Sequence, residues 1–246
     1  MKIIPLSEGA FTIDHTKLFI PFDTEADSMQ SRPAGSLLVE IQPFVVVTSR
    51  DVLLLDTGLG YEINGELQLL QNLRKAGIEP GSITKVLLSH LHKDHAGGIG
   101  RNNADGSQQL TFPQATYYVQ RAEFDYVFEK GLPSYVPQEV EVLRNNPQVH
   151  WLEGDGTIDG YIHHEITGAH SKFHQVFRIE EEGKIVFFGA DDAPQLQQMK
   201  HRFAAKYDYD GKKAMELRSR WWIQAAEEKW NILFYHDIRT PWFHAS

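Results

Sequence analysis

The amino-acid sequence predicts an α/β protein of the α+β type, in which mixed β-sheets are flanked by helices. Strand-like runs outnumber helix-like segments early in the 246 residues, and the two kinds mix afterwards. No Pro/Gly/Ser-rich linker, low-complexity tract or internal repeat divides the chain. We therefore expect residues 1–246 to form a single domain.

The predicted strands are short apolar runs bounded by turn residues. Residues 36–47 and 51–55 give the first two runs, which form a hairpin that ends at Asp56. The same pattern predicts later strands at residues 85–88, 115–119, 161–166, 174–179 and 184–188.

The predicted helices carry apolar residues at helical spacing. Gly77 is a suitable stop for the first of them, and Asp210 is a suitable N-cap for the last. These helices are expected at residues 63–76, 122–130, 195–203 and 212–229.

Composition restricts the chemistry that the chain can perform. It has no cysteine, which excludes disulfides, thiolate nucleophiles and iron–sulfur clusters, so any metal must be held by His, Asp or Glu. The formal net charge of −9, with scattered basic residues, argues against a nucleic-acid partner. No apolar run is long enough to span a bilayer, and the N-terminus lacks the apolar core of a secretion signal. We expect a cytoplasmic protein that acts on a small molecule, without a membrane partner, and that can form a homodimer.

The stretch LLSHLHKDHAGG, residues 87–98, carries three histidines and an aspartate within six positions. Residues two apart in an extended chain point to the same side, so His90 and His92 can bind one ion. Asp94 and His95 come round to a second position once the chain begins to coil. The stretch therefore offers ligands to two neighbouring metal ions.

The HLHKDH sequence resembles the metal-binding motif of the metallo-β-lactamase superfamily of metal-dependent hydrolases. Four further motifs of that family are present in the family's order, one before HLHKDH and three after it: Asp56 in LLLDTG, His170 in TGAHSKFH, Asp191 in IVFFGADDAP and His236 in NILFYHD. The resemblance thus spans most of the chain. It implies an αββα sandwich, in which two mixed β-sheets pack face to face with helices outside.

The resemblance also implies a role for each matching residue. Asp56 would accept a ring N–H from a ligand histidine, and His174 would support the ligands without binding metal. The implied cofactors are two divalent ions, Zn²⁺ first, with Mn²⁺ or Fe²⁺ as alternatives. The implied ligand set is His90, His92 and His170 for the first ion, Asp94, His95 and His236 for the second, and Asp191 between them.

The function implied is that of a binuclear hydrolase, in which a hydroxide between the metals attacks an ester-like bond of a lactone or carboxylic ester. Asp94 would be catalytic, because it can orient that hydroxide or take its proton. Three alternatives stay open: a thioester, phosphoester or phosphotriester hydrolase; a mononuclear iron dioxygenase acting on persulfides; and a structural metal site without turnover.

Within the family, the GADDAP and FYHD segments resemble the lactonase and organophosphate-hydrolase branch. Pro194 stands where the N-acyl homoserine lactonases carry a tyrosine, so their site is not copied directly. We expect residues 1–35 to form an extended N-terminal lid or a dimer contact. Trp242 and Phe243 are expected to form part of the pocket wall.

Overall fold

A computed structural model describes residues 1–103 and 105–246. The strands are numbered in chain order: β1 Lys2–Pro5, β2 Gly9–Ile13, β3 Phe19–Phe22, β4 Leu37–Ile41, β5 Phe44–Val47, β6 Val52–Leu55, β7 Glu62–Ile63, β8 Glu66–Leu67, β9 Lys85–Leu87, β10 Gly100–Asn102, β11 Gln108–Leu110, β12 Thr116–Gln120, β13 Val149–Leu152, β14 Gly156–Ile158, β15 Ile162–Ile166, β16 Gln175–Glu181, β17 Lys184–Phe188, β18 Asn231–Leu233 and β19 Trp242–His244.

The α-helices are α1 Gln68–Lys75, α2 Lys93–Ala96, α3 Arg121–Lys130, α4 Pro137–Val140, α5 Leu196–Lys200 and α6 Gly211–Glu228. Short 3-10 turns lie at Met29–Ser31, Pro80–Ser82, Glu141–Leu143 and Ala190–Asp192.

Two six-stranded mixed sheets form the centre of the fold. The first has the order β1-β5-β6-β9-β12-β13, antiparallel as far as β6 and parallel from β6 to β13. The second has the order β14-β15-β16-β17-β18-β19, in which only the β17–β18 pair is parallel. The sheets are therefore mixed, as the sequence predicts.

The two sheets pack face to face, with helices on both outer faces. Phe44 and Leu53 of the first sheet share a buried cluster with Phe177 and Phe188 of the second. On the outside of the first sheet, α1 and α3 bury Leu73 and Phe124 against it; α6 does the same on the second sheet through Trp221. This four-layer arrangement confirms the αββα sandwich.

Local sequence explains several of these elements. Strand β6 reads Val-Leu-Leu-Leu without alternation because both faces of its sheet are covered. Helix α6 begins at the predicted cap, where the Asp210 side chain accepts a hydrogen bond from the Lys213 amide at 2.9 Å. No described helix has the length and apolar character needed to cross a membrane.

Two predicted boundaries are wrong for identifiable reasons. The helix expected over residues 63–76 begins only at Gln68, because Asn64 and Gly65 both adopt positive φ and form the turn of the β7–β8 hairpin. The strand expected over residues 36–47 is two strands. It breaks before Pro43, and its first half, β4, joins a separate sheet of order β3-β2-β4.

Candidate metal centre

The seven side chains expected to bind metal meet at one edge of the two large sheets. HLHKDH follows β9 and leads into α2, His170 lies between β15 and β16, Asp191 follows β17, and His236 follows β18. They fall into two groups, and within each group the ligand atoms lie within 4.8 Å of one another. The first group is His90, His92, His170 and Asp191, and the second is Asp94, His95 and His236.

The first group is compact and almost fully buried. Nε2 of His90 lies 2.9 Å from Nδ1 of His92, which in turn lies 3.1 Å from Nε2 of His170. Oδ2 of Asp191 completes the group, 3.0 Å from the same His170 nitrogen. Three imidazole nitrogens and one carboxylate oxygen thus surround one point.

The second group faces the other oxygen of Asp191. Oδ1 of that carboxylate lies 3.0 Å from Nε2 of His95 and 2.9 Å from Nε2 of His236. Oδ2 of Asp94 is 3.5 Å from the His236 nitrogen. One carboxylate therefore presents a different oxygen to each group.

Spacings of 2.9–3.1 Å suit metal ligands as well as hydrogen bonds. A tetrahedral ion with bonds of about 2.0–2.1 Å places its ligand atoms about 3.3 Å apart, close to the spacings above. In the described chain, His95 Nε2 and Asp191 Oδ1 are buried at 3.0 Å separation, yet neither makes a hydrogen bond. Buried polar atoms without a hydrogen bond need another partner, and a divalent cation bound by both atoms would be one.

The electrostatics of the groups also suit a cation. Burial lowers the pKa values of His90 and His92 well below the ordinary value, helped by neighbouring imidazoles, so both are neutral ligands. Burial opposes ionisation of Asp191, but His236, His95 and His170 outweigh it and hold its pKa well below the usual range. The carboxylate between the groups is therefore charged.

Asp56 lies directly behind the ligands. Its Oδ2 lies 2.8 Å from Nδ1 of His95 and accepts a hydrogen bond from the Ser89 hydroxyl at 2.6 Å, while Oδ1 accepts from the Ser89 amide at 2.7 Å. A proton held on Nδ1 of His95 leaves Nε2 free to bind metal, which is the arrangement expected of this aspartate.

Two other ligand histidines have similar partners. His236 donates from Nδ1 to the carbonyl oxygen of Glu40 at 2.7 Å. His170 donates from Nδ1 to Asp208 at 2.9 Å, a contact that the sequence did not predict. Asp208 lies in YDYDGKK, where the sequence predicts a helix cap at Asp210 and no role for Asp208. The one feature of the sequence that sets Asp208 apart is its position two residues before the N-cap of α6.

His174 is fully buried beside the first group, with its ring centroid 4.8 Å from that of His90. Its Nδ1 lies 3.1 Å from Oδ2 of Asp192. Asp192 in turn accepts a hydrogen bond from the His170 amide at 2.7 Å. Asp192 is fully buried, and this hydrogen bond helps to fix the His170 loop.

Backbone geometry explains the small residues in this region. A Cβ on Gly98 would collide with the carbonyl oxygen of Thr57, in the loop that carries Asp56. Ala190 adopts φ of 43°, a left-handed conformation that costs about 1–2 kcal/mol for a non-glycine residue and lies directly before Asp191. Strain at this position sets the direction in which Asp191 leaves the strand.

The metal groups open into a cavity of about 1050 Å³. Residues of the N-terminal segment, including Ile13, Lys17 and Phe19, form part of its wall. Trp242 and Phe243 are not among its described lining residues: they lie on strand β19, and Phe243 stacks on Trp222 with ring centroids 5.6 Å apart. Their expected place in the pocket wall is therefore wrong.

Comparison with known proteins places this arrangement in a family. The family model described as the metallo-beta-lactamase superfamily matches residues 40–195. The chain is 32% identical over 95 residues to N-acyl homoserine lactonase AttM of Rhizobium radiobacter, a match covering 37% of this chain and 31% of the lactonase. It is 24% identical over 226 residues to N-acyl homoserine lactonase AiiA of Bacillus thuringiensis subsp. kurstaki, covering 84% of each. The chain spans between 31% and 43% of the length of the AttM lactonases that it matches.

Solved structures share the fold at low sequence identity. A probable metal-dependent hydrolase from Staphylococcus aureus has a TM-score of 0.76 at 19% identity, covering 100% of this chain and 92% of the other. AidC, a dizinc quorum-quenching lactonase, has a TM-score of 0.73 at 20% identity, covering 98% and 89%. With more than half of its length matched by the family model, an αββα sandwich and the family's motifs in order, the chain belongs to the metallo-beta-lactamase superfamily.

Proposed function

We propose that this chain is a binuclear metal-dependent hydrolase that cleaves an ester-like bond, in a lactone or carboxylic ester, of a small molecule. Its relatives include N-acyl homoserine lactonases, and their lactone hydrolysis supports the reaction class. Pro194 lines the cavity where the lactonase branch has a tyrosine, so the substrate is not assumed to be the same.

The position of Asp191 carries this proposal. Its two carboxylate oxygens lie within 3.0 Å of histidine nitrogens that belong to different groups, His170 on one side and His95 and His236 on the other. A carboxylate shared in this way is suited to bridge two ions. We propose Zn²⁺ for both positions because the donors are imidazoles and carboxylates, which Mn²⁺ and Fe²⁺ also accept.

Two such ions would lower the pKa of a water between them and polarise the carbonyl of the ester. We assign the proton transfer to Asp94, which lines the cavity and whose Oδ2 lies 3.7 Å from Nε2 of His95 and 3.5 Å from Nε2 of His236. It would take a proton from the attacking water and return it to the leaving oxygen. Tyr235 fixes this residue by donating its hydroxyl proton to the Asp94 carbonyl at 2.6 Å.

Metal analysis combined with substitution tests the proposal. Protein purified without added metal should carry about two ions per chain, and His92→Ala and His236→Ala should each retain about one. Both variants should lose hydrolysis of a lactone and ester panel, because each removes a ligand from a different group. His150→Ala, an exposed histidine on β13, is the matched control and should retain both ions and full activity.

Other outcomes identify the alternatives. Hydrolysis at full rate by metal-free protein would overturn the proposal. Bound iron with oxygen consumption on a persulfide would indicate a dioxygenase. Loss of folding on chelation, without turnover of lactone, ester, thioester or phosphotriester, would indicate a structural metal site.

A further inference from the structure

The cavity above the metal groups is unusually rich in lysine. Five of the thirteen lysines in a chain of net charge −9 line it, and no arginine or glutamate does. The five are Lys17, Lys93, Lys130, Lys172 and Lys206.

None of these lysines forms a salt bridge with a carboxylate in the described chain. Among residues 1–103 and 105–246, no ion pair within 4 Å involves any of the five, whereas Lys85 outside the cavity pairs with Asp159 at 3.0 Å. Two of the carboxylates that line the cavity contact histidines and not lysines: Asp191 contacts His95, and Asp94 contacts His236. Asp208 faces His170. The last lining carboxylate, Asp14, is hydrogen-bonded to Thr16.

Ammonium groups lie near two aromatic side chains of the cavity wall, Tyr126 and Tyr207. Lys130 Nζ and Lys172 Nζ lie 5.4 and 5.3 Å from the centroid of the Tyr126 ring. Lys17 Nζ lies 5.9 Å from the Tyr207 centroid, and Lys206 adjoins Tyr207 in the chain. Like charges gathered around one concave surface repel one another, and their summed field attracts an anion into the cavity.

Exposed apolar groups line the same opening. Leu37 and Leu132 line the cavity and are 44% and 72% exposed, and Phe203 is 43% exposed. A ligand that buries these groups while meeting the lysines must have an apolar part and a negative charge.

We propose that the substrate carries, besides the bond that is cleaved, an anionic group, a carboxylate or a phosphate, that lies against Lys130 and Lys172. This inference rests on the proposed hydrolase function and adds the substrate class. The lysines act on binding, so they are specificity-determining residues that take no part in bond cleavage.

Three 4-nitrophenyl esters of similar acyl length test the inference. 4-Nitrophenyl pentanoate is neutral, mono-4-nitrophenyl glutarate ends in a carboxylate, and 4-nitrophenyl 4-(phosphonooxy)butanoate ends in a phosphate. Using the metal-loaded enzyme at low salt, and after subtraction of the uncatalysed rates, we expect kcat/KM to be about tenfold higher for one or both anionic esters than for the neutral one. The larger of the two anionic ratios identifies the group, and added salt should reduce it.

Substitution of the two lysines links the preference to the site. Lys130→Gln and Lys172→Gln should each lower the ratio of anionic to neutral kcat/KM about threefold, and the double variant about tenfold, through KM. Lys184→Gln, an exposed lysine at the start of β17 and outside the cavity lining, should leave the ratio unchanged.

A ratio of one or less for both anionic esters, or a ratio that the double variant does not change, would overturn the inference while leaving the hydrolase proposal intact. Metal-dependent turnover of none of the three esters would also overturn it. The lactone and ester panel with metal analysis then judges the hydrolase proposal separately.

Discussion

Asp208 Oδ1 lies 2.9 Å from Nδ1 of His170, and the Asp208 side chain is only 2% exposed. Because a carboxylate can only accept, the proton of His170 lies on Nδ1, and Nε2 is left free toward His92 and Asp191. A residue 38 positions away in the chain therefore sets which nitrogen of this candidate metal ligand is available.

Asp208→Ala should weaken metal binding about 10–100-fold, because without the carboxylate neither the tautomer nor the ring orientation of His170 is fixed. Competition with a chromophoric chelator measures the affinity. Asp208→Asn keeps an acceptor oxygen without the charge and should fall between the alanine variant and the wild type.

Asp210→Asn is the matched control for Asp208. It removes the same charge two residues further on, and asparagine caps a helix as well as aspartate does. Its metal affinity should equal that of the wild type. An Asp208→Ala protein with unchanged affinity would show that His170 is oriented by the surrounding packing instead.

The residues of the candidate ligand set could be located from sequence because they follow apolar strands at recognisable spacings. HLHKDH directly follows β9, and Asp191 follows β17 after a short turn, so strand periodicity and the family motifs locate both. Strand β17 itself has the predicted bounds, since its apolar run ends at a glycine.

Other features depend on contacts between distant parts of the chain. Nothing near Asp208 in the sequence predicts its contact with His170. Nothing near Asp192 predicts that its side chain is fully buried. The N-terminal sheet was also missed. Its strand β2 pairs with β3 and β4 over short runs that include glycine, threonine and proline, which carry a weak strand signal.

The turn between β2 and β3, residues 14–18, forms part of the cavity wall, with Asp14, His15 and Lys17 among the lining residues. Of residues 1–35, strand β1 belongs to the first large sheet, so we propose that the later part of this segment, from β2 onward, acts as a lid over the site. Replacement of residues 14–18 by Asn-Gly preserves the pairing of Ile13 with Phe19 and shortens only the turn. The variant should change the relative kcat/KM for short and long acyl chains severalfold, because one wall of the cavity is removed.

A similar change in a remote hairpin is the control for that variant. Substitution within the β16–β17 turn, at Glu182 and Gly183, alters a loop outside the cavity lining and should leave the acyl-chain preference unchanged. Equal preferences in the wild type and the residue 14–18 variant would remove the lid proposal.

Glu8 makes the stability of the fold depend on pH. Burial, with a contribution from the Asp94 charge, raises the pKa of Glu8 to about 8, although the Leu59 amide donates to its Oε2 at 2.7 Å. The unfolded chain releases this proton near pH 4.5, so between about pH 4.5 and 8 the folded state binds more protons than the unfolded state. Folding stability contributed by this group therefore falls as pH rises through that window.

Glu8→Gln removes the effect, and its free energy of unfolding relative to wild type should rise by about 3 kcal/mol between pH 5 and pH 8 in urea titrations. Glu182→Gln, in an exposed turn, should follow the wild-type pH dependence, and parallel curves for wild type and Glu8→Gln would contradict the assignment.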